Sequence, residues 1–178
     1  CSKQEIIKFS FEKIRQIYIA LKRNKNFGSI VDIRAKNLPK IDIFTYSFPC
    51  TDLSTIGNQA GLEIGTRSGL LWEVKRVLSE LKLLKRLPKY LLMENVKNLF
   101  SSNHVDGWNI FASFLESLGY KNSIMVLNAK EFGIPQNRER AFCISELNGT
   151  DEIIVEAKNS SVNIHDFLDL NNDSLIEE

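Results

Sequence analysis

The sequence predicts an α/β sandwich around a largely parallel sheet. Three observations carry that prediction. Short apolar runs of strand length, at residues 41–46, 90–93, 123–127 and 141–144, alternate with longer stretches of helical period. One of those runs, Tyr90-Leu91-Leu92-Met93, is apolar throughout, as in strands covered on both faces. The 178 residues, 43% hydrophobic and 25% charged, suffice for one domain with a sizeable core.

The elements follow in order. Residues 4–25 read as a helix, with Ile6, Ile7, Phe9, Phe11, Ile14, Ile17 and Leu21 on a mostly helical period and charged residues between them. Gly28 breaks the pattern, and residues 29–33, Ser-Ile-Val-Asp-Ile, read as a short strand. A loop at residues 36–40 leads to a second strand at 41–46. Residues 55–65 form a loop rather than an element, because Gly57, Gly61 and Gly65 interrupt it, and its length suits a functional lid. A helix over residues 67–87 carries one apolar stripe, Leu70, Leu71, Val74, Val77, Leu78, Leu81 and Leu84, and Pro88 is its expected stop. The basic residues between read more simply as a solvated helix face than as a DNA-binding stripe. The strand at 90–93 ends in Glu94-Asn95-Val96. A helix from 107 or 108 to 118 stops at Gly119, a strand covers 123–127, and a loop over 128–138 leads to the strand at 141–144. From Asn148 the chain is polar and acidic, with one short helix expected around Phe167, Leu168 and Leu170. No internal repeat is seen.

Composition narrows the function. The formal charge is +1, so a basic footprint for nucleic acid would have to be local. Cys1, Cys50 and Cys143 are odd in number and lack CxxC spacing, which speaks against a disulfide framework and for a reducing compartment. His104 and His165 are too few to build a zinc site, so no metal is expected. No apolar run approaches the roughly 20 residues of a membrane span, and no signal peptide is read at the start. The chain does not begin with Met and reads as a fragment or a processed product.

Three segments carry chemistry. Cys50 follows Pro49 just where a strand runs out, with Asp52 and Ser54 as turn or capping groups behind it. A thiolate there would be a nucleophile if positive charge lay nearby; taken alone, the plainer reading is a small buried hydrophobe. Glu94 follows Leu-Leu-Met, where a carboxylate is costly unless paired, and Asn95 beside it can hold the backbone turn. It reads either as an ordinary strand-terminal acid or as a substrate-binding carboxyl. In Gln136-Asn137-Arg138-Glu139-Arg140 a strand would place Arg138 and Arg140 on one face, because strand side chains alternate. Two guanidiniums there could bind a carboxylate, a base oxygen or a phosphate, or simply pair at the surface with Glu139 and Glu131. Strand ends of this kind are where α/β sheets bind ligands.

In combination and order these segments resemble the DNA (cytosine-5) methyltransferases. "SFPCTDLS" resembles that family's Pro-Cys loop, "TRSGLLWEV" the segment after it, "ENVKNL" its Glu-Asn-Val motif and "NAKEFGIPQNRERAFCI" its Gln-x-Arg-x-Arg motif. "GSIVDI" is weakly similar to the preceding cofactor-side motif. The resemblance covers about residues 28–145. It implies a Rossmann-like methyltransferase sandwich with a mostly parallel sheet, incomplete at the N-terminus and lacking the target-recognition region. It implies methyl transfer from S-adenosylmethionine to C5 of a cytosine flipped out of double-stranded DNA. Cys50 would attack C6, Glu94 would hold N3 and the exocyclic amine, Arg140 would contact O2, and Arg138 would brace Glu94 or a phosphate. Asp32, Ile33 and Leu70 would supply part of the cofactor pocket, and the loop at 55–65 would close over the DNA.

The chain departs from the family pattern at Thr51, where Gln is common, at Leu53 for Phe and at Ser47 for Gly. Nothing before Gly28 resembles the family's Phe-x-Gly-x-Gly cofactor loop. The expected organisation is a partial catalytic domain over residues 1–147 and a polar, acidic tail, or the start of a further region, over 148–178. The expected setting is cytoplasmic, on nucleoid DNA, in a restriction–modification system. The chain would work within a longer polypeptide or with a complementing one, and alone it is expected to show no methyl transfer. The alternative is an inactive remnant that only binds DNA. A cysteine hydrolase is disfavoured, since neither histidine lies in a motif beside the thiol.

Overall fold

The computed structural model describes residues 9–49, 70–102, 105–157 and 164–167. The chain forms two compact units, residues 1–34 and 35–178. The first holds α1, Phe11–Arg23, capped by Ser10, whose side chain accepts from the Lys13 backbone N–H. None of the residues of α1 is buried, so its apolar residues lie open in the described structure. The strand expected at 29–33 is instead a 3-10 turn, Ile30–Asp32. The reason is local: Asp32 N bonds Ser29 O and Ile33 N bonds Ile30 O, while the Ser29 hydroxyl accepts from Val31 N.

The second unit holds a four-stranded sheet in the order β1-β2-β4-β3. The strands are β1, Ile43–Tyr46; β2, Tyr90–Val96; β3, Tyr120–Asn128; and β4, Glu139–Leu147. Two helices join them, α2 at Leu71–Leu83 and α3 at Val105–Ser117. The α/β architecture is as the sequence predicts, but the pairings are mixed. β1 and β2 are parallel, whereas β4 runs antiparallel to both β2 and β3. Three strands therefore point one way, and the reversed β4 is inserted between two of them.

Strand alternation divides the sheet into two faces. One carries Tyr46, Leu91, Met93, Asn95, Ala141 and Cys143, all buried. α3 covers it: Phe111 packs 6.0 Å from the Tyr46 ring, and Asn122 Nδ2 donates to Ala112 O. α2 lies beside α3, with Trp72 against Phe111 and the Lys75 ammonium 5.1 Å from the Phe114 ring. Its stripe of Leu71, Val74, Val77, Leu78 and Leu81 is buried as the period predicts. The other face carries Leu92, Glu94, Arg140, Phe142 and Ile144, each only partly covered. Polar and apolar groups there remain open to a ligand.

α3 ends where Gly119 takes φ +97°, a left-handed conformation that side chains disfavour. α2 ends before Pro88. Its last residue is Leu83, and Lys85 adopts φ +55° beyond it. Arg86 N then bonds back to Leu81 O and Lys85 N to Lys82 O, the double closure of a Schellman turn. The short helix expected near Phe167 is a 3-10 turn, Ile164–Phe167.

Candidate functional site

Because β4 is reversed, its first residues lie at the same end of the sheet as the carboxyl ends of β1, β2 and β3. Register makes this concrete: Val96 on β2 and Leu127 on β3 both pair with Arg140. Segments far apart in sequence therefore converge on one rim. A cavity of about 350 Å³ opens there, lined by Glu94, Leu127, Ala129, Phe132, Arg138, Arg140 and Phe142. The size is typical of small-ligand sites, and so is the pattern of apolar walls with a few polar groups.

Glu94 and Arg140 meet inside it. Arg140 Nε lies 3.1 Å from Glu94 Oε1, with the side chains 25% and 39% exposed respectively. The pair is half-covered, which strengthens it relative to a surface ion pair and leaves both groups within reach of a ligand. Arg140 Nη1 also donates to its neighbour's carbonyl, Glu139 O, at 2.7 Å, which fixes the guanidinium plane. A guanidinium has five N–H donors, so these contacts leave capacity for a ligand oxygen. Where the resemblance has Arg138 bracing Glu94 or a phosphate, the ion pair to Glu94 is made by Arg140. Arg138, just before β4 begins at Glu139, lines the same cavity. Glu94 does not end its strand: β2 runs on through Val96.

The loop between β3 and β4 is held by one residue. The Asn128 carboxamide accepts from Lys130 N and from Arg138 N, each at 3.1 Å, and donates to Asn137 Oδ1 at 2.7 Å. Ala129 N bonds Arg138 O, and Gly133 takes φ +81° to close the turn Ala129–Phe132. Arg138 is thereby positioned by its backbone before the strand begins.

Asn95 links two of the motifs. Its side chain points to the face opposite Glu94 and is only 3% exposed. Nδ2 donates to Phe48 O at 3.1 Å, and Oδ1 accepts from Val96 N at 2.8 Å. The main-chain register of β1 with β2 stops at Tyr46–Met93, so a side chain carries the connection further. The Phe48 carbonyl lies two residues before Cys50. The sequence reading has Asn95 holding a backbone turn; instead Asn95 stands within β2, and its side chain accepts from the next residue of the strand, Val96 N. The bond to the neighbouring strand depends on tertiary register and has no local signal.

Cys50 lies outside the described residues, as do the loop at 55–65 and His104. Of the proposed cofactor residues, Asp32 is exposed on the Ile30–Asp32 turn and Ile33 directly follows it, half-buried. Leu70 is half-buried at the start of α2. Cys143, the described cysteine, is fully buried on β4, and burial pushes its thiol from the usual 9.0 up to about 11. It is a structural thiol, not a nucleophile.

Comparison with known proteins gives concordant matches. The C-5 cytosine-specific DNA methylase family matches residues 4–175. The chain is 50% identical over 167 residues to the type II methyltransferase M2.ScrFI of Lactococcus lactis subsp. cremoris, covering 92% of this chain and 45% of that protein. It is 49% identical over 142 residues to the orphan methyltransferase M.SssI of Spiroplasma monobiae, covering 77% of this chain and 36% of that protein. The chain thus spans less than half the length of these relatives. Among solved structures, the Entamoeba histolytica methyltransferase EhMeth superposes with a TM-score of 0.64 at 18% identity, over 85% of this chain and 48% of that one. The S. pombe Dnmt2 methyltransferase gives 0.59 at 22% identity, over 82% and 46%. These likenesses show that the fold is that of the Rossmann-like methyltransferases.

Proposed function

The chain belongs to the C-5 cytosine-specific DNA methylase family, and from that premise we propose that it carries the catalytic centre for methyl transfer to C5 of a cytosine in double-stranded DNA. The observation that supports this most is the Glu94–Arg140 pair in a cavity with aromatic and aliphatic walls. A cytosine presents a flat ring with a ring nitrogen and an amine on one edge and a carbonyl oxygen beside them. A carboxyl group matches the first two and a guanidinium matches the third, while Phe132, Phe142 and Leu127 offer apolar surface to the ring.

A base inside a duplex cannot reach such a cavity, so the cytosine enters flipped from the stack. Cys50 adds as thiolate to C6, forming the S–C bond and moving the electron pair of the C5–C6 double bond toward C5. As a carboxylic acid, Glu94 donates to N3 and accepts from the exocyclic amine, which draws charge from C6 and favours that attack. Arg140 holds O2, where negative charge gathers as the ring loses its conjugation. S-adenosylmethionine, when bound, supplies the methyl group. Leu70, apolar and half-buried at the start of α2, would hold part of it. Loss of the C5 proton restores the double bond and expels Cys50 as thiolate, so the enzyme is regenerated.

The test is a chimera in which this chain replaces the matching segment of M2.ScrFI. Transfer of labelled methyl groups to unmethylated duplex DNA is expected, and Cys50→Ser or Glu94→Gln should abolish it. A folded chimera without transfer, or turnover retained in the Cys50→Ser variant, would refute the proposal.

A further inference from the structure

A recess of about 610 Å³ lies at the far end of the sheet from the cavity and shares no residue with it. Its walls come from four segments: Lys40, Ile41 and Asp42 before β1, Lys85, Arg86 and Leu87 beyond α2, Lys89 before β2, and Leu147 and Asn148 at the end of β4. The reversal of β4 is what brings its last residues to the first residues of β1 and β2. Main-chain bonds pin the walls together, Tyr90 N to Asp42 O at 3.0 Å and Leu147 N to Lys89 O at 2.9 Å.

The charge of the recess is one-sided. Lys40, Lys85, Arg86 and Lys89 line it against one acid, Asp42, whereas the chain as a whole nearly balances 23 basic with 22 acidic residues. The fold makes little use of these cations. Among the described residues the Lys40 and Lys85 ammonium groups have no hydrogen-bond or ion-pair partner, and Asp42 pairs with neither. Lys89 reaches Glu146 only at 4.0 Å. Arg86 Nη2 donates to Leu38 O at 2.5 Å, which fixes the guanidinium and leaves further N–H donors for a ligand. Like charges gathered in a concave site repel one another and focus a positive potential, which an anion relieves. Ile41, Leu87 and Leu147, each half-buried, supply apolar surface among the charges. Lys85 and Asn148 hold left-handed backbones, at φ +55° and +59°, and such conformations gather where ligands are held.

We propose that this recess is a second ligand site and that it takes a nucleotide: the cations hold the phosphates, and the apolar side chains receive the face of the base. The volume is that of a small-ligand site. Guanidinium and ammonium groups together suit phosphoryl oxygens. A nucleoside triphosphate concentrates negative charge at one end and carries a flat ring at the other, so it uses both kinds of surface. The convex, polar backbone of a duplex would use the charges alone.

The experiment is isothermal titration calorimetry of the full chain with GTP at low salt in the presence of EDTA. Guanine is neither the base assigned to the catalytic cavity nor the adenosyl group of the methyl donor, so this probe avoids both. One GTP per chain is expected. Lys40→Gln and Lys85→Gln should each weaken binding about 3- to 10-fold, and Lys40→Arg should retain it. Lys130→Gln, on the exposed turn at the opposite rim, should leave it unchanged. Tripolyphosphate, which lacks the base, should bind at least about 10-fold more weakly. Absence of GTP binding would overturn the proposal, as would equal weakening by Lys130→Gln. Tripolyphosphate matching GTP would overturn it by reducing the recess to a patch for any polyanion. Displacement of GTP by stoichiometric blunt-ended duplex DNA would give the cations to a nucleic acid backbone instead. Displacement by S-adenosylhomocysteine would place the nucleotide in the cofactor pocket, and the recess would lose its assignment.

Discussion

Two adjacent residues, Glu94 and Asn95, show how one strand serves both site and scaffold. Alternation sends the carboxyl to the open face and the carboxamide into the core. The chemistry of Glu94 is legible in the sequence, because an acid after three apolar residues needs a partner. Its partner's identity is not, since Arg138 and Arg140 are equivalent by spacing and only the β2–β4 register selects Arg140. Asn95 must donate to Phe48 O and accept from Val96 N at once, which neither Asp nor Ala can do. Asn95→Ala is therefore expected to cost about 1–3 kcal/mol through unpaired buried groups, read as a lower urea midpoint at unchanged m-value. A loss below a few tenths would show that the bond is dispensable. Cys143 gives a pH signature. Its pKa rises from 9.0 unfolded to about 11 folded, through burial first, opposed by the Ser145 hydroxyl. Below pH 9 both states hold the proton and the group has no effect on stability. Between 9 and about 11 only the folded state holds it, so stability falls with rising pH. The full loss is about 2 to 3 kcal/mol. Tyr46, whose hydroxyl is pushed well above 10.0 by burial, steepens the decline at the upper end. Cys143→Ala should flatten the limb that begins at pH 9, as measured by denaturation between pH 8 and 10; an unaltered limb would assign it elsewhere.

At the scale of elements, periodicity locates each α-helix and strand among the described residues of the second unit and misplaces how several of them stop. Pro88 is the obvious sequence signal after α2, yet the helix closes at Lys85, where two backbone bonds of the Schellman turn outweigh the strain of a left-handed lysine. That strain is of the order of 1 kcal/mol for a side-chain-bearing residue. Lys85→Gly should relieve it and raise stability by about 0.5–1 kcal/mol, seen as a higher melting temperature. A decrease would mean that the lysine side chain contributes more than its backbone costs. The misread strand at 29–33 has a related cause. Its β-branched residues favour extension, but Ser29 offers a cap and local i→i+3 bonds satisfy part of the backbone. β2 and β4 both extend past their apolar runs for the opposite reason. Each has a paired neighbour, so Glu94, Asn95, Glu139 and Arg140 join the ladder despite their polarity.

For the molecule as a whole, the placement of the site follows from one topological fact. Three strands share a direction, and the fourth enters between two of them reversed, which carries Arg138 and Arg140 to the carboxyl ends of the others. Apolar runs and helical periods indicate an α/β sheet, but no residue pattern states strand order. The convergence of Glu94 with the arginines was therefore legible only through resemblance, whereas the reversal of β4 required coordinates. The same topology predicts where cooperativity resides. All four strands, α2 and α3, and both tryptophans lie within residues 35–178. The aromatic cluster is internal to that unit, with Trp72 6.4 Å and Trp108 5.9 Å from the Phe111 ring. A fragment of residues 35–178 should therefore unfold in one cooperative transition, with the blue-shifted tryptophan emission that a buried Trp108 implies. Fluorescence-monitored urea unfolding of the fragment beside the full chain checks this. Red-shifted emission without a transition would make the first 34 residues part of the folding unit, and the division of the chain at Arg34 would not be a division of its stability.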